Sequence, residues 1–164
     1  MYTYLTEDLP GLIAQMFPVD MARQGIFGHS MGGHGALTIA LKAPGRYRSV
    51  SAFAPICHPI DVDWGRKAFS AYLGENHAAW RAHDAICLIE DGARLDAILV
   101  DQGTADGFLD SQLRPDTLQQ ACQTAGIPLT LNLRENYDHS YFFISTFMAD
   151  HVTWHADRLR KAPS

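Results

Sequence analysis

Short apolar runs along the chain predict four β-strands. Three of these runs are dominated by apolar and small residues, which is typical of strands buried on both faces of a sheet, and they cover residues 24–28, 49–53 and 97–101. In the fourth run, residues 129–133, leucines alternate with polar residues. This alternation predicts a strand nearer the edge of the sheet.

Helix-like spacing occupies the stretches between the predicted strands. Near the N-terminus, six apolar residues recur at intervals of three and four and predict an amphipathic helix, which Pro10 either starts or kinks: Leu5, Leu9, Leu12, Ile13, Met16 and Phe17. Further helices are predicted over residues 32–42, 115–124 and 140–160.

Residues 56–92 interrupt this alternation with a mixed pattern that contains Pro59, Trp64 and Trp80. We interpret this segment as an insertion over the sheet with two short helices. Elsewhere strands alternate with helices, so residues 1–164 are predicted to form a single α/β domain around a parallel sheet. In such a sheet the active site lies in the loops beyond the carboxyl ends of the strands.

The loop after the first predicted strand carries Gly28-His29-Ser30-Met31-Gly32, which matches the G-x-S-x-G pattern of a nucleophile elbow. Glycines permit the sharp turn that lifts the Ser30 hydroxyl clear of the sheet. The helix that follows would direct its N-terminus at the serine, so the Met31 N–H would face a developing oxyanion. A glycine-rich turn that contains serine by chance is the alternative, and the strand–turn–helix context favours the nucleophile.

An acid and a histidine follow in two later loops. Asp106 lies just past the third predicted strand, where a carboxylate can hold a histidine in the required tautomer. Asp101 and Asp110 are alternatives, although Asp101, at the strand end, is expected to hold the loop instead. His139 lies between the last strand and the last helix, where it can act as general base toward Ser30. The order Ser, Asp, His is that of the α/β-hydrolases.

Composition and charge exclude several other functions. The formal net charge is −5 and the lysines and arginines are dispersed, so no basic face for nucleic acid is predicted. No apolar run is long enough to cross a membrane, and residues 1–10 lack the basic start of a secretory leader. Three widely spaced cysteines, Cys57, Cys87 and Cys122, predict neither a zinc site nor a disulfide framework. A cytoplasmic location is therefore expected.

For four further histidines we favour roles other than metal binding. His151 and His155 are four residues apart on the last predicted helix, but no glutamate follows His151 as in an HExxH motif, so a solvated helix face is favoured. His29 and His34 flank the serine, where a structural or substrate-lining role is favoured over a metal site. We therefore predict neither a metal nor an organic cofactor.

With these motifs the chain resembles the S-formylglutathione hydrolases, carboxylesterases of the α/β-hydrolase fold. The family nucleophile falls on Ser30, the acid on Asp106 and the base on His139, and Met31 matches one backbone oxyanion donor. Trp64 matches a family tryptophan near the acyl pocket, with packing of the inserted segment as an equal alternative. The resemblance is carried by six stretches spread over nearly the whole chain: residues 27–37, 51–57, 64–69, 72–74, 101–103 and 137–144.

The resemblance implies hydrolysis of the thioester S-formylglutathione to glutathione and formate, a step of formaldehyde detoxification, with side activity on small acyl esters. It also implies a cytoplasmic enzyme without cofactors, often a homodimer. Family members carry an N-terminal part that has no counterpart in this chain, including the first strands of the sheet and the loop with the second oxyanion donor. The alternative is a non-catalytic remnant of the fold that acts through dimerisation or partner binding.

Overall fold

The computed structural model describes residues 1–161 and contains a four-stranded parallel sheet. Its strands lie side by side in chain order: β1 (Gln24–His29), β2 (Tyr47–Phe53), β3 (Ile98–Gly103) and β4 (Leu129–Arg134). In register, Ile26 lies beside Val50, Val50 beside Ile98, and Ile98 beside Leu129. All four predicted strands are confirmed, as is the edge position of β4, and β1 forms the opposite edge.

Helices connect and cover these strands. The α-helices are α1 (Leu9–Met16), α2 (Met31–Lys42), α3 (Asp63–Leu73), α4 (His77–Trp80), α5 (Ala85–Glu90), α6 (Pro115–Ala125) and α7 (Tyr141–Arg160). The helices predicted after β1, β3 and β4 are therefore confirmed. The segment between β2 and β3 contains three α-helices where two were predicted. Within residues 1–161, no helix has the length and apolar character needed to cross a membrane.

The sheet separates two apolar cores because side chains alternate across β2. Val50 and Ala52 face the larger core, where they pack with residues of α2, α5 and α6. Phe53 faces the other side of the sheet and packs against Phe143 and Ile144 of α7. Since α5 contributes to the larger core, the end of the 56–92 segment is part of the main packing of the sheet.

The N-terminal helix forms as predicted, with Pro10 in the first turn of α1. However, no residue of α1 is buried, and Leu12, Met16 and Phe17 are each at least half exposed. Other α1 side chains line an open groove beside the edge strand β1. The apolar stripe of this helix therefore lies at the β1 edge and contributes nothing to either core.

The solvated face predicted for His151 and His155 is wrong, because both side chains are buried between α7 and β2. His151 Nδ1 lies 2.8 Å from the Ser51 hydroxyl oxygen, and His155 Nε2 lies 2.7 Å from the same oxygen. His155 Nδ1 lies 2.6 Å from the Ser49 hydroxyl oxygen. Alternation along β2 directs both serines toward α7, so their hydroxyls supply the hydrogen-bond partners that buried imidazoles need.

Two histidines with lowered pKa values make the stability of the fold sensitive to acid. Burial lowers the pKa of His155 to about 4 and, elsewhere in the molecule, lowers the pKa of His34 to about 4. The unfolded chain therefore binds protons that the folded chain rejects between pH 6.5 and 4. We expect the free energy of unfolding to fall over this interval by about 2–3 kcal/mol for each histidine.

Urea denaturation at pH 7 and pH 4.5 measures this dependence. His155→Gln removes one of the two groups and is expected to reduce the loss of stability between the two pH values by about half. His77→Gln is the matched control, because His77 is an exposed histidine of α4, and it should leave the loss unchanged. A full loss in His155→Gln would contradict the role assigned to His155.

Candidate active site

The turn between β1 and α2 holds Ser30 in a backbone conformation that is rare for residues other than glycine. Its φ is 55° and its ψ is −116°. The Ser30 N–H donates to the carbonyl oxygen of Phe53 at 2.9 Å, which ties the turn to the end of the neighbouring strand β2. A strained serine between a strand and a helix is the geometry of a nucleophile elbow.

Glycine is required at the first position of the motif because the backbone of α2 passes directly over it. A Cβ on Gly28 would lie 2.3 Å from the carbonyl oxygen of Gly32. A Cβ on Gly33 would be less crowded, at 3.1 Å from Pro55. A side chain at Gly28 would therefore push the helix away from the strand and move Ser30 with it.

Gly28→Ala is expected to destabilise the fold by about 1–3 kcal/mol, because the obstructing atoms belong to the backbone and cannot rotate away. Urea denaturation at neutral pH measures the change. Gly32→Ala is the matched control within the same motif, since a Cβ there meets nothing within 4 Å. Equal stability of the two variants would contradict the close approach at Gly28.

Ser30, His139 and Asp106 form a continuous hydrogen-bonded series at the carboxyl ends of the strands. The Ser30 Oγ lies 2.9 Å from His139 Nε2, and His139 Nδ1 lies 2.6 Å from Asp106 Oδ2. In the tautomer that suits both contacts, Nδ1–H donates to the carboxylate and Nε2 accepts from the serine hydroxyl. The three residues predicted from separate loops are thus brought together.

The Asp106 carboxylate is buried and oriented by two further donors. Its Oδ1 accepts from the Phe108 N–H at 2.9 Å, and its Oδ2 accepts from the Gln102 side-chain amide at 3.2 Å. These contacts orient the carboxylate so that Oδ2 can also accept a hydrogen bond from His139. Gln102 was not singled out from the sequence. The signal that could have identified it is the Asp-Gln-Gly stretch at residues 101–103, which is part of the family resemblance.

The two alternative acids lie away from the histidine of this series. Asp101 is buried and accepts from the Arg134 guanidinium and the Asn132 side-chain amide of β4, each at 2.7 Å. It therefore ties β3 to β4, whereas the role expected for it was to hold the loop that follows β3. Asp110 is exposed in the turn that follows Phe108.

Aromatic rings surround His139. The His29 ring centroid lies 4.5 Å from that of His139, and the ring of Phe108 stands edge-on to His139 at 5.4 Å. Trp64 packs on Phe108 at 4.6 Å and is 41% exposed. Sequence reasoning missed Phe108, because nothing in the loop sequence distinguishes it from any other exposed aromatic residue.

The surroundings of His29 favour its neutral form. Burial lowers its pKa, and the neighbouring His139 lowers it further. Its Nε2 is buried and has no hydrogen-bond partner within residues 1–161. A neutral His29 ring places no positive charge beside the His139 ring.

The first turn of α2 supplies a backbone donor next to the serine. Met31 opens this helix, so its N–H belongs to the set of N-terminal amides that have no acceptor within the helix. A nucleophilic hydroxyl, a histidine base, a buried carboxylate and such an amide suit acyl transfer through a serine ester.

One cluster in the part of the chain that the structure describes has metal-ligand chemistry, at His58, Asp84 and Cys87. Asp84 caps α5 by accepting from the backbone N–H groups of Ile86 and Cys87, and its other oxygen accepts from Ile60 and His58. Burial raises the pKa of Cys87 to about 12, which keeps the thiol protonated. These partners give the cluster a structural role, as the cap of α5.

A parallel sheet with helices on both faces, a strained serine elbow and the serine–histidine–aspartate series define the serine hydrolases of the α/β-hydrolase class. Comparison with known proteins agrees with this class. A family model described as "Putative esterase" matches residues 1–155, and the chain belongs to this esterase family.

The chain is also similar to named relatives. It is 57% identical to an S-formylglutathione hydrolase of Mus musculus and 54% identical to one of Paracoccus denitrificans, in both cases over 97% of this chain and 57% of the relative. A solved S-formylglutathione hydrolase of Agrobacterium tumefaciens superposes with a TM-score of 0.94 at 58% identity, with the same coverage. The chain thus spans 57% of these relatives' length and matches their C-terminal part.

Proposed function

We propose that this chain hydrolyses S-formylglutathione to glutathione and formate, with side activity on small acyl esters. The observation that carries the proposal is the hydrogen-bonded series from the Ser30 hydroxyl through His139 to Asp106. The names of the relatives supply the substrate, since their similarity extends over 97% of this chain. We assign Ser30 as nucleophile, His139 as base and Asp106 as the acid that orients it.

The reaction runs in two halves through a formyl ester of Ser30. His139 takes the hydroxyl proton while Ser30 Oγ attacks the formyl carbon, and the resulting oxyanion faces the Met31 N–H. The intermediate collapses, the carbon–sulfur bond breaks, and His139 gives its proton to the departing sulfur, so glutathione leaves as its thiol and His139 is again a free base. His139 then takes a proton from water as that water attacks the formyl ester, and formate leaves as Ser30 regains its proton.

The rings around His139 suit a small acyl group. We assign Trp64 and His29 as substrate-lining residues, with Phe108 between Trp64 and the base. Every group in the reaction belongs to the chain, to the substrate or to water, so the proposed reaction needs no cofactor. Its products place it in glutathione-dependent formaldehyde catabolism, and we propose a cytoplasmic location, in keeping with three buried free thiols.

A series of glutathione thioesters tests the proposal. We expect kcat/KM to be highest for S-formylglutathione and to fall at least about tenfold for S-butyrylglutathione, because three added carbons must enter a site lined by rings. Loss of absorbance by the thioester gives the rate, and a fluorophosphonate reagent should label Ser30. Failure of both hydrolysis and labelling would contradict the proposal.

The edge strand β1 favours a second candidate, a remnant of the fold that acts through self-association. In the described residues β1 pairs on one side only, and Phe27 within it is 47% exposed. An unpaired strand offers backbone donors and acceptors to another chain. A homodimer seen by sedimentation velocity, combined with no thioester hydrolysis, would support this candidate over the enzyme.

A further inference from the structure

We propose that a second groove, at the amino-terminal ends of the strands, binds a polyphosphate group. This groove, called here the basic groove, has a volume of about 770 Å³ and is lined by Arg46, Arg48, Arg158 and Lys161 among other residues. It lies where β1, β2 and β3 begin and α7 ends. The hydrolytic residues follow the carboxyl ends of the strands, so the basic groove lies at the opposite end of the sheet.

Positive side chains outnumber carboxylates around the basic groove in residues 1–161. Its lining holds four cations and one carboxylate, Asp96, and Asp157 of α7 also acts on Arg158. Among residues 1–161 none of the four forms a salt bridge, whereas five other arginines of the chain pair with carboxylates. In a chain whose formal net charge is −5, this groove is a local excess of positive charge.

Each arginine of the basic groove is positioned by a neutral partner. Arg46 donates to the carbonyl oxygen of Thr6, and Arg48 donates to the backbone carbonyl that follows α7 at 3.0 Å. The Arg158 guanidinium lies 3.6 Å from the centre of the Trp154 ring. A guanidinium has five N–H groups, so these contacts fix its place and leave most of its donors free.

The end of α7 accounts for only part of this arrangement. Cations near a helix C-terminus offset the helix dipole, and Arg158 and Lys161 suit that role. Arg46 and Arg48 belong to the start of β2 and have no such helix end of their own. Because they line the same groove as the α7 cations, we infer a ligand with several negative charges.

Phosphate is the anion that this set of side chains favours. Three of the four cations are arginines, whose planar N–H pairs match two phosphate oxygens at once. A chain of phosphates carries enough charge to engage cations from both β2 and α7. The groove volume also suits a nucleoside beyond the phosphates, so the polyphosphate could come from a nucleotide or from an inorganic chain.

Isothermal titration calorimetry with inorganic tripolyphosphate and with ATP tests the proposal on the whole chain. Arg48→Gln combined with Arg158→Gln should weaken tripolyphosphate binding about 100-fold, roughly tenfold for each lost contact. The matched control combines Arg66→Gln with Arg114→Gln, which removes the same charge from two arginines that pair with Asp61 in the segments beyond the carboxyl ends of β2 and β3. It should leave binding within about twofold, and thermal unfolding checks that both double variants fold.

Each outcome bears on the proposal. Tighter binding of ATP than of tripolyphosphate would identify a nucleotide, and equal or weaker binding of ATP would identify the phosphate chain alone. No binding at millimolar concentration, equal weakening in both double variants, or equal affinity for a hexaglutamate peptide would overturn the assignment to phosphate. Hydrolysis of S-formylglutathione uses other residues, so its presence or absence leaves these outcomes unchanged.

Discussion

Ser30→Ala is expected to lower kcat/KM for S-formylglutathione by about 10⁴-fold or more. The variant loses the hydroxyl oxygen that is placed to form the covalent ester, since the Ser30 Oγ lies 2.9 Å from His139 Nε2. The hydrogen bond between His139 and Asp106, 2.6 Å long, does not involve Ser30 and should persist in the variant. The loss of activity would therefore result from the missing nucleophile and not from a disordered site. Loss of thioester absorbance gives the rates.

Ser145→Ala is the matched control for this experiment. Ser145 is an exposed residue of α7 whose hydroxyl donates to the backbone carbonyl of Phe142, so its removal should leave hydrolysis unchanged. Circular dichroism at neutral pH should be the same for both variants. Hydrolysis by Ser30→Ala at the rate of the unchanged chain would exclude the proposed mechanism.

Asp106→Asn is expected to lower kcat by about 10⁴-fold while leaving the fold intact. The carboxylate accepts the His139 Nδ1–H, which leaves Nε2 free to take the serine proton. An asparagine amide that donates to Nδ1 would stabilise the opposite tautomer, with Nε2 protonated and unable to act as a base. The measurement is the single-turnover rate of S-formylglutathione cleavage.

Asp110→Asn makes the same change in charge at a nearby exposed acid and serves as the control. It should reduce kcat by less than about twofold, because the exposed Asp110 carboxylate forms no hydrogen bond with Ser30, Asp106 or His139. A larger loss in Asp110→Asn than in Asp106→Asn would mean that the acid is wrongly assigned. The same comparison decides between two acids that the sequence alone left as alternatives.

The site was predictable because its signals are local and ordered. A glycine, a serine and a second glycine between a strand and a helix specify the turn at Ser30, whatever packs around it. Asp106 and His139 each follow a strand, and parallel strands bring such loops to one end of the sheet. The order of strands and loops was therefore enough to predict that the three residues lie together.

The sequence could not reveal features that depend on which side chains a neighbouring helix, strand or loop directs toward a residue. His151 and His155 have the spacing of a solvated helix face, and only the direction of the Ser49 and Ser51 side chains from β2 makes them internal. Phe108 likewise becomes part of the site only because its loop folds back over His139. Such pairings between distant segments leave no trace in local hydropathy.

The serine–histidine contacts between β2 and α7 also constrain how the sequence can vary. Ser51 serves both His151 and His155, so Ser51→Val alone would leave two buried imidazoles short of a partner, at a cost of about 1–3 kcal/mol for each. Because His155 also pairs with the buried Ser49 hydroxyl, the unpaired groups disappear only when Ser49, Ser51, His151 and His155 are all replaced by apolar side chains of similar volume. Positions 49, 51, 151 and 155 are therefore expected to covary among related chains, as a single inherited unit rather than four independent sites.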